Sequence, residues 1–115
     1  MIPAGSKVFL VLGVTDMRKA IDGLALLVSG RLELDALSGQ LFVFCNRGRT
    51  ILKVLYWDRN GFCLWQKRLE KHRFPWPESR EAVLELGPRE LGWLIEGLDP
   101  LAVRGHPRLC YSTLC

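Results

Sequence analysis

Residues 50–69 read TILKVLYWDRNGFCLWQKRL. Two runs rich in β-branched and aromatic residues, Thr50–Trp57 and Phe62–Leu69, flank Asp58-Arg59-Asn60-Gly61. Asn-Gly between such runs is a strong short-range hairpin signal. A two-residue and a four-residue loop give the same side-chain faces, because the two registers differ by two residues along the ladder. One face then holds Leu52, Val54, Tyr56, Cys63, Trp65, Lys67 and Leu69. The other holds Ile51, Lys53, Leu55, Trp57, Phe62, Leu64, Gln66 and Arg68. Both are largely apolar, so both are expected to be at least partly covered.

Working outward, Leu41–Cys45 reads as a further strand and Asn46-Arg47-Gly48-Arg49 as the turn that joins it, giving a three-strand antiparallel meander. Upstream, Lys7–Leu12 reads as a short buried strand. Asp16 is placed to cap a helix whose apolar stripe is Met17, Ile21, Leu24 and Val28, with Gly30 to end it. Downstream, Phe74-Pro75-Trp76-Pro77 must be irregular or extended. Ala82–Leu86 is a candidate strand. Pro88 opens a second helix at its first position, with Leu91, Leu94, Ile95 and Leu98 on the apolar face and Pro100 as its stop. The expected fold is a single α+β domain over residues 1–99: an antiparallel meander with an N-terminal strand–helix unit and a C-terminal helix. Residues 100–115 lack periodicity and read as a loosely ordered tail.

A chain of 115 residues, 49% of them hydrophobic, is long enough for one core and is no disordered tail. No run approaches a membrane span or a signal-peptide core, so the expected location is cytoplasmic and no membrane partner is expected. The four cysteines, Cys45, Cys63, Cys110 and Cys115, show no CxxC spacing. Cys45 and Cys63 read as buried hydrophobes, and Cys110 and Cys115 receive no role.

Net charge is +4, but it is unevenly spread. Residues 40–76 carry Arg47, Arg49, Lys53, Arg59, Lys67, Arg68, Lys71 and Arg73 against Asp58 and Glu70, a balance of +6. Residues 77–99 carry Arg80 and Arg89 against Glu78, Glu81, Glu85, Glu90, Glu96 and Asp99, a balance of −4. A basic middle calls for an anionic partner, nucleic acid first, and the acidic end is expected to face elsewhere.

Catalysis finds little support in the residue pattern. His72 and His106 have no metal-ligand partner at useful spacing. Asp16 reads as a cap, Asp22 as an i,i+4 partner of Arg18, and Asp58 as a turn residue. Hence no enzyme, no cofactor and no metal are expected. Arg18 and Lys19 fall in the first turn of the expected helix, where the dipole disfavours cations by roughly 0.3–1 kcal/mol each. They are ordinary surface charges or a phosphate contact. Lys53, Lys67 and Arg68, continued by Lys71 and Arg73 and followed by Phe74 and Trp76, suit a backbone-tracking groove on which bases can stack. The bland alternative is a solvated basic edge beside core aromatics. At 100° per residue Trp93 lies about 200° from Leu91, on the polar side of its helix. It is either covered by its own chain or open to a protein partner.

Several blocks in order also resemble a known family: Gly13-Val14-Thr15-Asp16-Met17-Arg18-Lys19, Asp22-Gly23-Leu24, Ser38-Gly39-Gln40-Leu41-Phe42-Val43-Phe44 and Lys53-Val54-Leu55-Tyr56-Trp57-Asp58. Gly61-Phe62-Cys63-Leu64-Trp65, Lys67-Arg68-Leu69-Glu70, Arg73-Phe74-Pro75-Trp76-Pro77 and Leu94-Ile95-Glu96-Gly97-Leu98-Asp99 complete the set. They are similar to the small accessory proteins of IS66-class insertion sequences. The resemblance implies a protein encoded beside a separate transposase and needed for efficient transposition. Asp35-Ala36-Leu37 and a tail with only Arg104 and Arg108 depart from the family pattern.

The expected function is therefore a non-catalytic accessory of transposition with DNA as partner, RNA left open, and the transposase of the same element as protein partner. Homo-oligomerisation is left open. The expected nucleic-acid contacts are Arg18, Lys19, Arg47, Arg49, Lys53, Lys67, Arg68, Lys71, Arg73 and Trp76, with Trp93 as the protein contact. The rival is an adaptor for the transposase that touches no nucleic acid. A third reading, a transcriptional regulator, would need direct base readout, for which no recognition-helix motif is visible.

Overall fold

The computed structural model describes residues 6–103. Its centre is Leu41–Cys45 (β2), in which every residue is buried. A strand apolar on both faces needs a neighbour on each side and a cover above and below. On one side it pairs antiparallel with Ile51–Asp58 (β3), which pairs with Gly61–Arg68 (β4), as the meander requires. On the other side it pairs in parallel with Val8–Val11 (β1), and β1 pairs antiparallel with Val83–Leu86 (β5). The five-stranded sheet runs β4-β3-β2-β1-β5.

Asp58 pairs with Gly61, so the β3–β4 loop is the two residues Arg59-Asn60 and Gly61 belongs to the strand. Arg59, with φ at 56°, takes the left-handed conformation of that loop. The pairs Leu52–Lys67, Val54–Trp65 and Tyr56–Cys63 share one face. Lys53–Gln66, Leu55–Leu64 and Trp57–Phe62 share the other, as the periodicity requires.

Each face has its own core. The first gathers Val8, Leu10, Val43, Leu52 and Val54 beneath Leu91 and Leu94 of the helix Pro88–Ile95 (α2), together with Phe74 and Trp76. The second gathers Val11, Phe42, Phe44 and Leu55 beneath Leu24 and Val28. These come from the helix Ile21–Leu26 (α1), which runs on through a π-helical turn at Leu27–Arg31.

The first helix begins later than its stripe implies. Ala20, not Asp16, is its N-cap, so Arg18 and Lys19 precede the helix and stand outside its dipole. Asp16 instead folds back on Arg18, accepting from its backbone N–H at 2.9 Å and its Nη2 at 2.7 Å. That local ring replaces the expected pairing of Arg18 with Asp22. Gly30 lies inside the π-helical turn and does not end the helix.

The second helix keeps its expected start. Pro88 stands at the first position, and Glu90 Oε1 accepts from the Gly87 N–H at 3.0 Å. A Cβ at Gly87 would lie 2.8 Å from that same oxygen, so the glycine admits the cap. The helix ends before Pro100. Gly97, at φ 90°, donates to the Leu94 carbonyl and Leu98 to the Trp93 carbonyl, a Schellman closure. Pro100, expected to open a loose tail, is buried and begins one further helical turn, Pro100–Val103 (α3). The rest of the expected tail, with Cys110 and Cys115, lies outside the described residues.

Two strand lysines hold this arrangement together. Lys53, 8% exposed, donates through Nζ to the carbonyls of Met17 and Lys19, each at 3.0 Å. Lys67 donates through Nζ to the Ile95 carbonyl at 3.0 Å. It thereby satisfies one of the open carbonyls at the end of α2 and complements the helix dipole. A buried carbonyl left without its donor costs about 1–3 kcal/mol. Lys53→Met, which keeps the stem and removes the ammonium, should lower unfolding free energy by about that much. Lys71→Met at an exposed position should change it by less than about 0.5 kcal/mol. Urea unfolding of the two variants measures the contrast, and equal stabilities would deny Lys53 its role as a strut.

Candidate nucleic-acid interface

Because β1 and β2 are parallel while β3, β4 and β5 alternate around them, five chain ends meet at one end of the sheet. These are the C-termini of β1, β2 and β4 and the N-termini of β3 and β5. The connections there are residues 12–20, 46–50 and 69–82. Backbone hydrogen bonds stitch them together: Thr15 to Cys45 at 3.0 Å, Leu69 to Thr50 at 2.8 Å, Phe74 to Arg49 at 2.7 Å and Leu12 to Ala82 at 3.0 Å. The Asn46 side chain fixes the β2–β3 turn, its Oδ1 accepting from the backbone N–H of Thr50 and of Ile51. Arg18, Lys19, Arg47, Arg49, Lys71 and Arg73 are thereby brought to one end of the molecule, with Arg68 at the close of β4.

They are not equivalent. Arg18, Arg49 and Arg68 each hold a carboxylate of their own chain: Asp16 at 2.7 Å, Glu78 at 2.6 Å and Glu70 at 3.1 Å. The Arg18 guanidinium drives the Asp16 carboxyl down to a pKa of about 2, and Asp16 in turn raises the pKa of Arg18. Lys19, Arg47, Lys71 and Arg73 are exposed and make no ion pair among the described residues.

Lys53, Lys67 and Trp76 are placed differently. Lys53 is buried with its ammonium donating to two carbonyls, and Lys67 caps α2, so neither is a free surface charge. Trp76 is 6% exposed and Phe74 1%, so both belong to the core and neither offers a face on which a base could stack. The interleaving of basic and aromatic residues along 67–76 is an alternation of outward charge and inward cover. Nor does the acidic segment keep away from the basic one, since Glu78 is drawn onto Arg49.

One feature had no sequence signal. Two open cavities flank the Gly13-Val14 loop at this end. One, of about 350 Å³, is bounded by Asn46, Arg47, Arg49, Trp76, Glu78 and Ser79. The other, of about 320 Å³, lies between Thr15, Leu27, Arg31, Arg80 and Ala82. Val14, 58% exposed, borders both. Across the molecule, Trp93 is half-buried and belongs to neither core cluster. Leu98 and Leu101 beside it in sequence are exposed. Cys45 is buried, which pushes its thiol up to about 11. Among the described residues no group of three or more His, Cys, Asp or Glu is placed to hold a metal, and no helix is long and apolar enough to cross a membrane.

Residues 6–105 match the family model described as IS66 Orf2 like protein. Two relatives come from Sinorhizobium fredii (strain NBRC 101917 / NGR234). Uncharacterized protein y4hO is 41% identical over 101 residues, covering 86% of this chain and 88% of the relative. Uncharacterized protein y4jC is 32% identical over 103 residues, covering 90% and 88%. No solved structure matches.

The Asp16–Arg18 ring gives a direct pH test. A carboxyl held down by a cation keeps its contribution above its unfolded pKa and loses it as pH falls through its folded one. Asp16 should therefore titrate near pH 2 by carbon-detected NMR. In Arg18→Ala it should return to the ordinary carboxylate range, near 3.9. A midpoint unmoved by that substitution would mean the ring does not form.

Proposed function

The chain belongs to the IS66 Orf2-like family, and we propose that it serves transposition of an insertion sequence as a non-catalytic accessory that holds nucleic-acid backbone across the basic end of its sheet. The observation that carries this reading is the convergence of Lys19, Arg47, Lys71 and Arg73, unpaired cations from three separate connections, on one end of the fold. Lys53 and Lys67 are left out because their bonding gives them structural roles, and Trp76 is left out as a base-stacking face because its ring is buried. Arg18, Arg49 and Arg68 take part by exchanging a carboxylate for a phosphate.

The contacts are to phosphate more than to bases. Reading the major groove calls for an exposed helix or ribbon, whereas α2 turns Leu91 and Leu94 into the core and α1 turns Leu24 inward. Backbone contacts set position and carry little sequence information.

The adaptor reading keeps one observation in its favour. Trp93, half-buried, leads into exposed Leu98 and Leu101, and aromatic residues at such places are favoured binding hot spots. In this account the two surfaces divide the work, nucleic acid at the sheet end and the transposase at the end of α2.

The test is a binding series with duplex DNA, single-stranded DNA and RNA at several salt concentrations. Affinity should fall steeply with salt, with a slope of about 0.7–0.9 per phosphate contact. Lys71→Ala with Arg73→Ala should flatten that slope by about 1.4–1.8, with unfolding unchanged because both residues are exposed. Folded protein that binds nothing at low salt would leave only the adaptor. For that surface, Trp93→Ala should weaken co-purification with the transposase and spare nucleic-acid binding. Loss of both together would deny the division of labour.

A further inference from the structure

We propose that the cavity between the Asn46–Arg49 turn and Trp76–Ser79 is a phosphate subsite, with Glu78 as its built-in competitor. The proposal rests on the nucleic-acid reading for its natural ligand, a phosphate of the polynucleotide chain, but not for its chemistry. Arg47 is exposed and without an ion pair among the described residues. Arg49, about one-third exposed, meets the Glu78 carboxylate at 2.6 Å, and Glu78 is otherwise largely in solvent. Both arginines and Glu78 bound the cavity.

The third group is Trp76, which also bounds the cavity and is 6% exposed. Its indole N–H is the only buried side-chain polar atom without a hydrogen-bond partner among the described residues. Such orphaned donors are rare in folded proteins and call for a reason. An anionic oxygen lodged beside Arg47 and Arg49 supplies the missing acceptor. The N–H is buried in the state in which Glu78 holds Arg49 at 2.6 Å. Glu78 and Trp76 line the same wall of the cavity, and entry of the anion requires that wall to open when Glu78 is released.

Phosphate displaces Glu78 for two reasons. An ion pair with one partner mostly in solvent contributes little, so giving it up is easy. A backbone phosphate also offers the guanidinium fork its two non-bridging oxygens in matching geometry, and the remaining lone pairs of those oxygens can accept from Arg47 and the indole. The run of unpaired cations continues past Arg49 to Arg73, the neighbour of Phe74, whose N–H donates to the Arg49 carbonyl. A polyanion with one phosphate in the cavity would therefore meet further positive charge along its path, which an isolated carboxylate would not use.

The experiment follows the indole N–H signals of the ¹⁵N-labelled full chain during titration with inorganic phosphate and, separately, with a single-stranded oligonucleotide. The Trp76 signal is assigned by Trp76→Phe, or by through-bond experiments should that variant not fold. Both probes should shift the Trp76 signal saturably. Glu78→Gln should tighten phosphate about three- to fivefold. Glu81→Gln, the same charge change outside this cavity, should leave affinity unchanged, and Arg49→Gln should weaken it about tenfold. An oligonucleotide that binds without moving Trp76 would overturn the subsite and leave the basic end standing. Phosphate that moves Trp76 in a chain that binds no oligonucleotide would uphold the subsite and remove the nucleic-acid reading. Acetate acting as strongly as phosphate would overturn the assignment to phosphate.

Discussion

Everything in this fold follows from the burial of β2. Five consecutive apolar residues, Leu41 to Cys45, with both faces closed to water, oblige the chain to build a layer above and a layer below. α1 supplies one through Leu24 and Val28, and α2 the other through Leu91 and Leu94. Once both faces are covered, little of the sheet's large surfaces stays open. What remains is the β4 and β5 edges and the two ends where strands turn into connections, and connections are where a rigid scaffold usually carries its function. The parallel pairing of β1 with β2 decides which end is which, since it sends the C-termini of both to the side where the β2–β3 turn and the long segment after β4 also emerge.

The same constraint sorts the cations. A lysine within a strand of a doubly covered sheet faces a core on either side, so its ammonium must find acceptors at the core's margin. Lys53 finds the carbonyls of Met17 and Lys19, and Lys67 that of Ile95. These bonds tie the approach to α1 and the end of α2 to the sheet. Cations in the connections meet no such demand and stay in water. Net charge along the sequence therefore overstates the charge available to a partner.

Much of the fold was legible because it is local. The two faces of the hairpin follow from a period of two, which no choice of loop length could invert. Pro88 and the stripe Leu91–Leu94–Ile95 fixed α2. The parallel β1–β2 pair and the outer place of β5 were not legible, since both join segments separated by a helix or by the whole meander. Asp16 misled because an Asp before an apolar stripe reads as a cap, while its guanidinium partner two residues on competes for the same oxygens. The prolines around Trp76 break every period, so the sequence offered no face for that ring, and the nearby lysines made it look exposed. Lys53 did leave a signal. It stands between Ile51 and Leu55 on its own strand's face, where a lysine flanked by apolar neighbours is better read as a buried strut than as a surface charge, although Gln66 opposite it and Arg68 weakened that signal.

The basic end cannot act as a simple sum of its cations. Arg18, Arg49 and Arg68 each begin with a carboxylate in hand, so for them a phosphate replaces one ion pair with another and only the difference favours binding. Lys19, Arg47, Lys71 and Arg73 begin solvated and release counterions in full. In the proposed reading these solvated cations supply most of the attraction for a polyanion. Where the polyanion is held is set by the paired arginines, because each exchange requires a phosphate oxygen at a fixed place and the withdrawal of a particular acid. In that reading attraction comes from the solvated Lys19, Arg47, Lys71 and Arg73 and register from the paired Arg18, Arg49 and Arg68, a division that would let a small protein seat a backbone in a preferred path without reading a base.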